Sequence, residues 1–289
     1  MLEYTVAMSV YAGEKPANLA ASLQSMFEQT VPCTELILCC DGELTPALDE
    51  VIARYTALFG GRMRVLRSRR HVGVGACANA ALKAARTEMI VKMDADDISL
   101  PERCEKQLRL MEEEPALDMC GAFLEEFDDI TGEPISVKVV PETSAEIRRY
   151  ARRRNPFNNP TLVYRKNAAL AAGGYAVKGR CEDYDLVVRM LMSGSEGANI
   201  PEALLRYRVT AGNMERRRNL ANTRGFIEVR YKIYKAGFSS LTDFLIPCAA
   251  QIMLFLMPKK ITKIFYDILR KSKAQSESKP KVLGRGCGG

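Results

Sequence analysis

Apolar runs and helical periodicities alternate through the first hundred residues. Tyr4 to Tyr11 is an apolar run broken only by Thr5 and Ser9, and Gly13 ends it. Leu19, Leu23, Met26 and Phe27 then recur at helical spacing as far as Gln29-Thr30-Val31-Pro32. Glu35 to Cys40 predicts a second strand, closed by Asp41-Gly42, and Thr45-Pro46 opens a helix that runs to about Phe59. Met63 to Leu66 predicts a third strand. His71-Val72-Gly73-Val74-Gly75 is a glycine-punctuated loop, and Ala76 to Ala85 is a helix of small residues able to approach a sheet closely. Met89, Ile90, Val91 and Met93 form the fourth strand. Parallel neighbours need a crossover helix, so four such units in succession predict a parallel, doubly wound α/β sheet.

Beyond a helix over Pro101 to Glu113 the pattern changes. Met119 to Phe127 and Pro134 to Val140 predict a hairpin-like pair around Asp128-Asp129-Ile130-Thr131-Gly132. A helix from about Ser144 carries Arg148, Arg149, Arg152, Arg153 and Arg154. Asn155-Pro156-Phe157-Asn158-Asn159-Pro160 is a rigid polar loop before a strand over Thr161 to Arg165; it suits either a hydroxyl-rich ligand or a structural turn. Gly173-Gly174-Tyr175 leads to Cys181-Glu182-Asp183-Tyr184-Asp185, which opens a helix with Leu186, Val187, Met190 and Leu191 on one face.

The last third changes in charge. The chain has 289 residues, 47% apolar and 27% charged, which is ordinary globular usage, and a formal net charge of +7. From Gly212 onward there are 16 Lys and Arg against 5 Asp and Glu, whereas the preceding part has 26 against 30. The basic excess is therefore C-terminal. Arg216, Arg217 and Arg218 begin a helix-compatible segment to about Ala236. Phe244 to Met257 is apolar but contains Pro247 and Gln251, and falls short of the ~20 residues a spanning helix needs. Ile261, Ile264, Phe265, Ile268 and Leu269 then share a face flanked by Lys259, Lys260, Lys263, Arg270 and Lys271. Such a basic amphipathic helix either lies in an anionic membrane surface or packs on the rest of the chain. Ser272 to Gly289 is polar, basic and Gly-rich, and is expected to be disordered.

Cysteine and histidine usage narrows the chemistry. Nine cysteines, without a Cys-x-x-Cys spacing, suggest a reducing compartment, and the adjacent Cys39 and Cys40 are core residues. His71 is the only histidine, so a general base has to be a carboxylate. The N-terminus lacks the basic and apolar regions of a signal peptide, so a cytoplasmic protein is expected. No dinucleotide fingerprint or Gly-Lys-Ser/Thr phosphate loop is present.

The acids stand at element ends. Asp94, Asp96 and Asp97 follow the fourth strand, ahead of a predicted capping box from Ser99 to Glu102 with Pro101 in the first turn. Ligands of open α/β sheets bind beyond such strand ends. Two carboxylates one residue apart can share a hard cation, Mg²⁺ or Mn²⁺, that keeps water and ligand phosphate as its other ligands. Asp41, past the second strand, is placed to accept hydrogen bonds from a base or ribose, or to form an Asp-Gly turn. Asp183, at a helix start, is either a cap or a general base toward a sugar hydroxyl.

In order, Ser9-Val10-Tyr11, Asp41-Gly42, Gly73-x-Gly75 with Asn79, Asp94-Ala95-Asp96-Asp97 before Leu100-Pro101-Glu102-Arg103, Gly173-Gly174-Tyr175 and Glu182-Asp183 resemble the family 2 inverting glycosyltransferases with the GT-A fold. Asn155-Pro156-Phe157-Asn158 narrows the resemblance to the bacterial branch that builds capsule, exopolysaccharide and O-antigen. It covers residues 4 to 210. It implies a Rossmann-like, mostly parallel sheet and a GT-A catalytic domain over 1–211 (nucleotide-sugar-binding half 1–100, acceptor half 101–211); the charge and apolar pattern of the last third adds a C-terminal helical appendage, a basic amphipathic membrane-associating region over 212–271, and a disordered tail over 272–289. The resemblance also implies that Ser9, Tyr11, Asp41, Asn79 and Asp94 bind a UDP-sugar, that Asp94 and Asp96 hold the metal, and that Asp183 is the catalytic base. The implied acceptor is a glycan, polyprenyl-diphosphate-linked, at the inner face of the cell membrane; no nucleic acid partner is expected. Two positions depart from the family pattern. Cys40 precedes Asp41 where a second acid is frequent, and His71 stands near a frequent Asn. The rivals are a sugar nucleotidyltransferase, which would release pyrophosphate rather than UDP, and a non-catalytic basic membrane-binding protein.

Overall fold

A computed structural model describes residues 2–175, 181–210 and 220–256. The first half alternates as its pattern predicts: β1 (Tyr4–Tyr11), α1 (Pro16–Phe27), β2 (Glu35–Asp41), α2 (Pro46–Phe59), β3 (Met63–Arg67), α3 (Val74–Ala84) and β4 (Met89–Asp94). Pro16 and Pro46 occupy first helical turns, where a missing N–H costs nothing, and Thr45 caps α2 by accepting from the Leu48 N–H. β1 pairs in parallel with both β2 and β4, and β2 pairs in parallel with β3.

The second half adds β5 (Ile98–Ser99), α4 (Arg103–Glu113), β6 (Leu117–Asp128), β7 (Pro134–Lys138), α5 (Ser144–Ala151), β8 (Val163–Arg165), α6 (Lys166–Ala171), α7 (Glu182–Met192) and β9 (Glu196–Val209). Thr143 and Glu146 close a capping box on α5. Among the described residues the strands form one sheet in the order β3-β2-β1-β4-β8-β6-β9-β5, with β7 hydrogen-bonded to β6. The hairpin of β6 and β7 follows the sequence expectation. β9 does not: Pro201 and the charges at Glu202, Arg206 and Arg208 interrupt its apolar pattern, and its parallel pairing with β6 shifts register in three places.

The capping box expected at Ser99 does not form. Ser99 belongs to β5, where its N–H donates to Ser25 Oγ and its Oγ accepts from Gln29, and α4 begins only at Arg103. Tertiary bonds from α1 have taken the groups a local cap would use.

Alternation along the buried strands divides the interior into two layers. Val6, Met8 and Val10, with Leu36, Leu38 and Cys40, and Met89, Val91 and Met93, face α1, α2 and α4. Ala7, Ile37 and Ile90 face the opposite layer with Leu82, Ile147 and Leu191 of α3, α5 and α7. Each fully buried Leu there contributes roughly 2 kcal/mol. Cys39 and Cys40 are buried, unbridged core residues.

The C-terminal helices are α8 (Leu220–Lys235) and α9 (Leu241–Leu256). Val229 and Ile233 of α8 join the α7 core layer, so this helix packs on the sheet domain. Among the described residues no helix is long and apolar enough to cross a membrane. Arg216 to Arg218, the amphipathic helix expected over 259–271 and the tail over 272–289 lie outside the described residues.

Candidate active site

Parallel pairing brings four of the singled-out side chains to one sheet edge. Tyr11 is in register with Asp41, and Ser9 with Asp94, so β2, β1 and β4 present them at their carboxyl ends. Asp41 and Asp94 therefore stand two strand spacings apart and two residues out of step along β1, about 12 Å in all, a span that a nucleoside can bridge between its base and its diphosphate. Ser9, Lys92, Asp94 and Tyr175 line a narrow crevice of about 20 Å³ below this edge.

Asp41 is buried and accepts from the Val72 N–H at 2.6 Å and the Gly73 N–H at 3.1 Å; His71 Nδ1 lies 2.9 Å from its Oδ2. The departure noted at His71 is thus a direct partner of Asp41. Gly73 has φ +90°, a conformation that glycine adopts without the steric cost of a Cβ, and this turns the loop so that both N–H groups reach Asp41.

The acids after β4 rest on tertiary contacts. Ser22 of α1 donates to the Asp94 carbonyl at 2.8 Å. Arg208 of β9 donates through its backbone N–H to Asp97 Oδ1 at 2.9 Å and through Nε to the Asp96 carbonyl at 2.8 Å. Burial raises the pKa of Asp94 above the ordinary carboxylate value, Lys92 and Arg103 pull it down, and the charge of Asp183 adds to the rise. Asp183, from α7, is thus near enough for its charge to be felt at Asp94. Its Oδ2 accepts from Asn155 Nδ2 at 3.2 Å.

The Asn-Pro loop is a bracket. Asn155 holds Asp183, Asn158 is buried and donates to the Ala122 and Lys138 carbonyls, and Asn159 accepts from Lys92 Nζ at 2.7 Å. Of the two readings its sequence allowed, the structural one accounts for these side chains. Asn79 acts similarly. Its Oδ1 accepts from the Tyr175 N–H and its Nδ2 donates to the Tyr175 carbonyl, and a Cβ at Gly174 would fall 2.6 Å from that Oδ1. Asn79 thus holds the Gly173-Gly174-Tyr175 wall of the site.

Lys92 and Arg208 were not singled out in the sequence, and Arg103 only as the end of the Leu100-Pro101-Glu102-Arg103 run. Lys92 and Arg208 meet partners 67 and 111–112 positions away, and Arg103 turns under β4 from the first turn of α4; only the charge of Lys92 inside an apolar run was a local signal. Asp97 is fully buried, and its Oδ2 has no hydrogen-bond partner among the described residues. Burial, then the charges of Asp96 and Asp94, push its pKa well above the ordinary value, against the opposing influence of Arg208. The folded state therefore binds a proton more tightly than the unfolded chain, and the associated stability is lost as pH rises from about 4 through the folded pKa. Asp97→Asn removes that loss. Its melting temperature relative to the native chain is expected to be higher at pH 8 than at pH 4, by about 2–4 °C for each kcal/mol relieved, in parallel thermal scans. A pH-independent difference would mean that Asp97 is ionised in the fold.

The donor set at Asp94 and Asp96 consists of hard carboxylate oxygens, while no group of three or more His, Cys, Asp and Glu is arranged to hold a metal among the described residues. Two such carboxylates suit a hard cation whose remaining ligands are water and substrate phosphate.

The family model described as "Glycosyl transferase family 2" matches residues 5–172, more than half of the chain, and spans every strand and acid of this edge. The chain belongs to glycosyl transferase family 2. It is 31% identical over 271 residues to the amylovoran biosynthesis glycosyltransferase AmsE of Erwinia amylovora, covering 93% of this chain and 99% of that one. It is 28% identical over 264 residues to the UDP-Gal:alpha-D-GlcNAc-diphosphoundecaprenol beta-1,3-galactosyltransferase of Escherichia coli, covering 91% and 95%. Among solved structures, S. aureus TarS 1-349 in complex with UDP-GlcNAc superposes with a TM-score of 0.62 at 16% identity, over 88% of this chain and 70% of that one. The mannosyltransferase PcManGT from Pyrobaculum calidifontis, in complex with GDP-Man and Mn²⁺, gives 0.63 at 13% identity over 96% and 76%. This family 2 glycosyltransferase has the GT-A fold, and α8 and α9 extend it.

Proposed function

We propose that this glycosyltransferase moves a sugar from a UDP-sugar to a hydroxyl of a lipid-linked glycan in bacterial surface polysaccharide biosynthesis, inverting the anomeric centre. The observation that carries the reading is the placement of Asp41 and Asp94 at the carboxyl ends of one strand edge, with the charge of Asp183, from a separate helix, felt at Asp94. The names of the E. coli and E. amylovora relatives support the donor class, the diphosphate-linked acceptor and the polysaccharide context. The chain works as a peripheral protein on the inner face of the membrane.

Asp41 receives the uracil, Ser9 and Tyr11 flank the nucleotide, and Asn79 keeps the Gly174–Tyr175 wall in place. Asp94 and Asp96 would hold Mg²⁺ or Mn²⁺, whose charge offsets that of the departing diphosphate when bound. Asp183 takes the proton from the acceptor hydroxyl as its oxygen bonds to the anomeric carbon, on the face opposite the breaking bond to UDP. Asn155 fixes the carboxylate that does this, and the single displacement turns an α-linked donor into a β-glycoside.

Calorimetric titration with UDP tests the donor site. Binding with Mn²⁺ is expected to weaken at least tenfold in EDTA and in Asp96→Asn. No UDP binding in any condition, or tighter binding of GDP, would remove the assignment of Asp41 to uracil.

A further inference from the structure

A larger cleft, of about 600 Å³, opens between α5 and α9, with none of the donor-edge acids in its lining. Its lining includes Arg149, Tyr150, Arg152, Arg153 and Asp243. The acids there are mostly committed. Asp243 accepts from Arg153 Nε at 2.5 Å and from Ser240, and Glu146 is held by Thr143 in the capping box of α5. Arg149 and Arg152 make no ion pair among the described residues, and Glu142 is the remaining acid of the lining. The cleft thus presents two exposed guanidiniums, a geometry that suits phosphate oxygens.

Two features tie this cleft to the acceptor. Arg152 is three residues from Asn155, so their Cα atoms lie within about 11 Å, and Asn155 donates to Asp183. On the other side, α9 turns its apolar residues outward. Leu241, Leu245, Ile252 and Leu256 repeat along one helical face beside Ile246 and Met253, and these six side chains are 43 to 71% exposed, while Asp243, Cys248 and Gln251 face the protein. This is the reverse of a helix docked for burial. A basic cleft bordered by a helix whose apolar face no described residue covers matches a ligand that joins phosphate to hydrocarbon.

We propose that Arg149 and Arg152 bind the diphosphate of a lipid-linked acceptor whose sugar reaches Asp183 and whose hydrocarbon runs along the outer face of α9. This rests on the transferase reading above and assigns the acceptor's place within it. The sugar of such an acceptor is bonded directly to the diphosphate, which agrees with Arg152 standing three residues from Asn155, the residue that holds the base.

The test compares two synthetic acceptors with the same sugar and the same alkyl chain, one joined through diphosphate and the other through a neutral ether, in neutral detergent micelles. Charge reversal in Arg149→Glu/Arg152→Glu is expected to raise KM at least tenfold for the diphosphate acceptor and less than twofold for the ether. Arg149→Lys/Arg152→Lys is expected to stay within threefold of the native chain on both. Equal losses on the two acceptors would overturn the site, as would a loss that appears only when anionic phospholipid is added to the micelles, since the arginines would then be reading bilayer headgroups. UDP titration of the same samples separates the two layers of argument. Retained UDP binding with no discrimination between acceptors sinks the diphosphate site alone, whereas absence of UDP binding in the native chain sinks the transferase reading and this site with it.

Discussion

Replacing Asp183 by Asn is expected to lower kcat by about 10²–10⁴-fold, the range that a positioned general base contributes, while UDP affinity stays within twofold. The side chain is half-buried at the start of α7, its Oδ2 held by Asn155, and its charge is felt at Asp94. An amide keeps the size and a hydrogen-bonding oxygen but cannot accept the acceptor's proton. Initial-rate measurement of UDP release with acceptor, alongside calorimetry with UDP, separates chemistry from binding. A variant retaining more than a tenth of native kcat would move the base to another residue.

The largest effect on stability is expected at Arg103. This side chain is fully buried; its Nη2 donates to the Lys92 carbonyl at 2.7 Å and its Nε to Gln107 Oε1 at 3.0 Å. Gln107 in turn donates to the Thr161 carbonyl, so one chain of bonds joins β4, α4 and the end of the Asn-Pro loop. Burial lowers the Arg103 pKa, and Cys104, Tyr4, Asp94 and Asp97 act against that lowering. Arg103→Met preserves volume but leaves the Lys92 carbonyl unpaired and the β4 acids without this opposing charge. Removing one member of a buried charged network costs about 3 kcal/mol, or a fall in melting temperature of about 6–12 °C at this size. Differential scanning calorimetry near neutral pH measures it. A fall of under 2 °C would show that methionine packing replaces the guanidinium and that Arg103 is not the tie it is drawn to be.

These two residues differ in how they announced themselves. Asp183 stands beside Glu182 at the polar start of a helix whose buried face is plain in the sequence, so its position was visible and only its partner was hidden. Arg103 lies in the first turn of a charged helix, in the Leu100-Pro101-Glu102-Arg103 run, and nothing local shows that it points under β4. The capping box at Ser99 failed for the same reason, because Ser25 and Gln29, about seventy positions earlier in the chain, claimed its groups.

The sequence by itself determined β1 to β4, the helices between them and the placement of Asp41 and Asp94 at strand ends. Strand alternation, helical spacing and turn residues act over a few positions, and the parallel arrangement follows from the crossover helices. It also set the C-terminal charge excess. Only the tertiary structure decided which distant groups meet: Asn155 with Asp183, Asn79 with Tyr175, Arg208 with the Asp96–Asp97 turn, and the outward apolar face of α9 beside the arginines of α5. Those contacts join residues from 28 to 112 positions apart or faces of separate helices. They depend on how completed elements pack, and no local rule of spacing encodes that. β9 belongs with them, since its bulged register is dictated by β6 and its own pattern is too irregular to declare a strand.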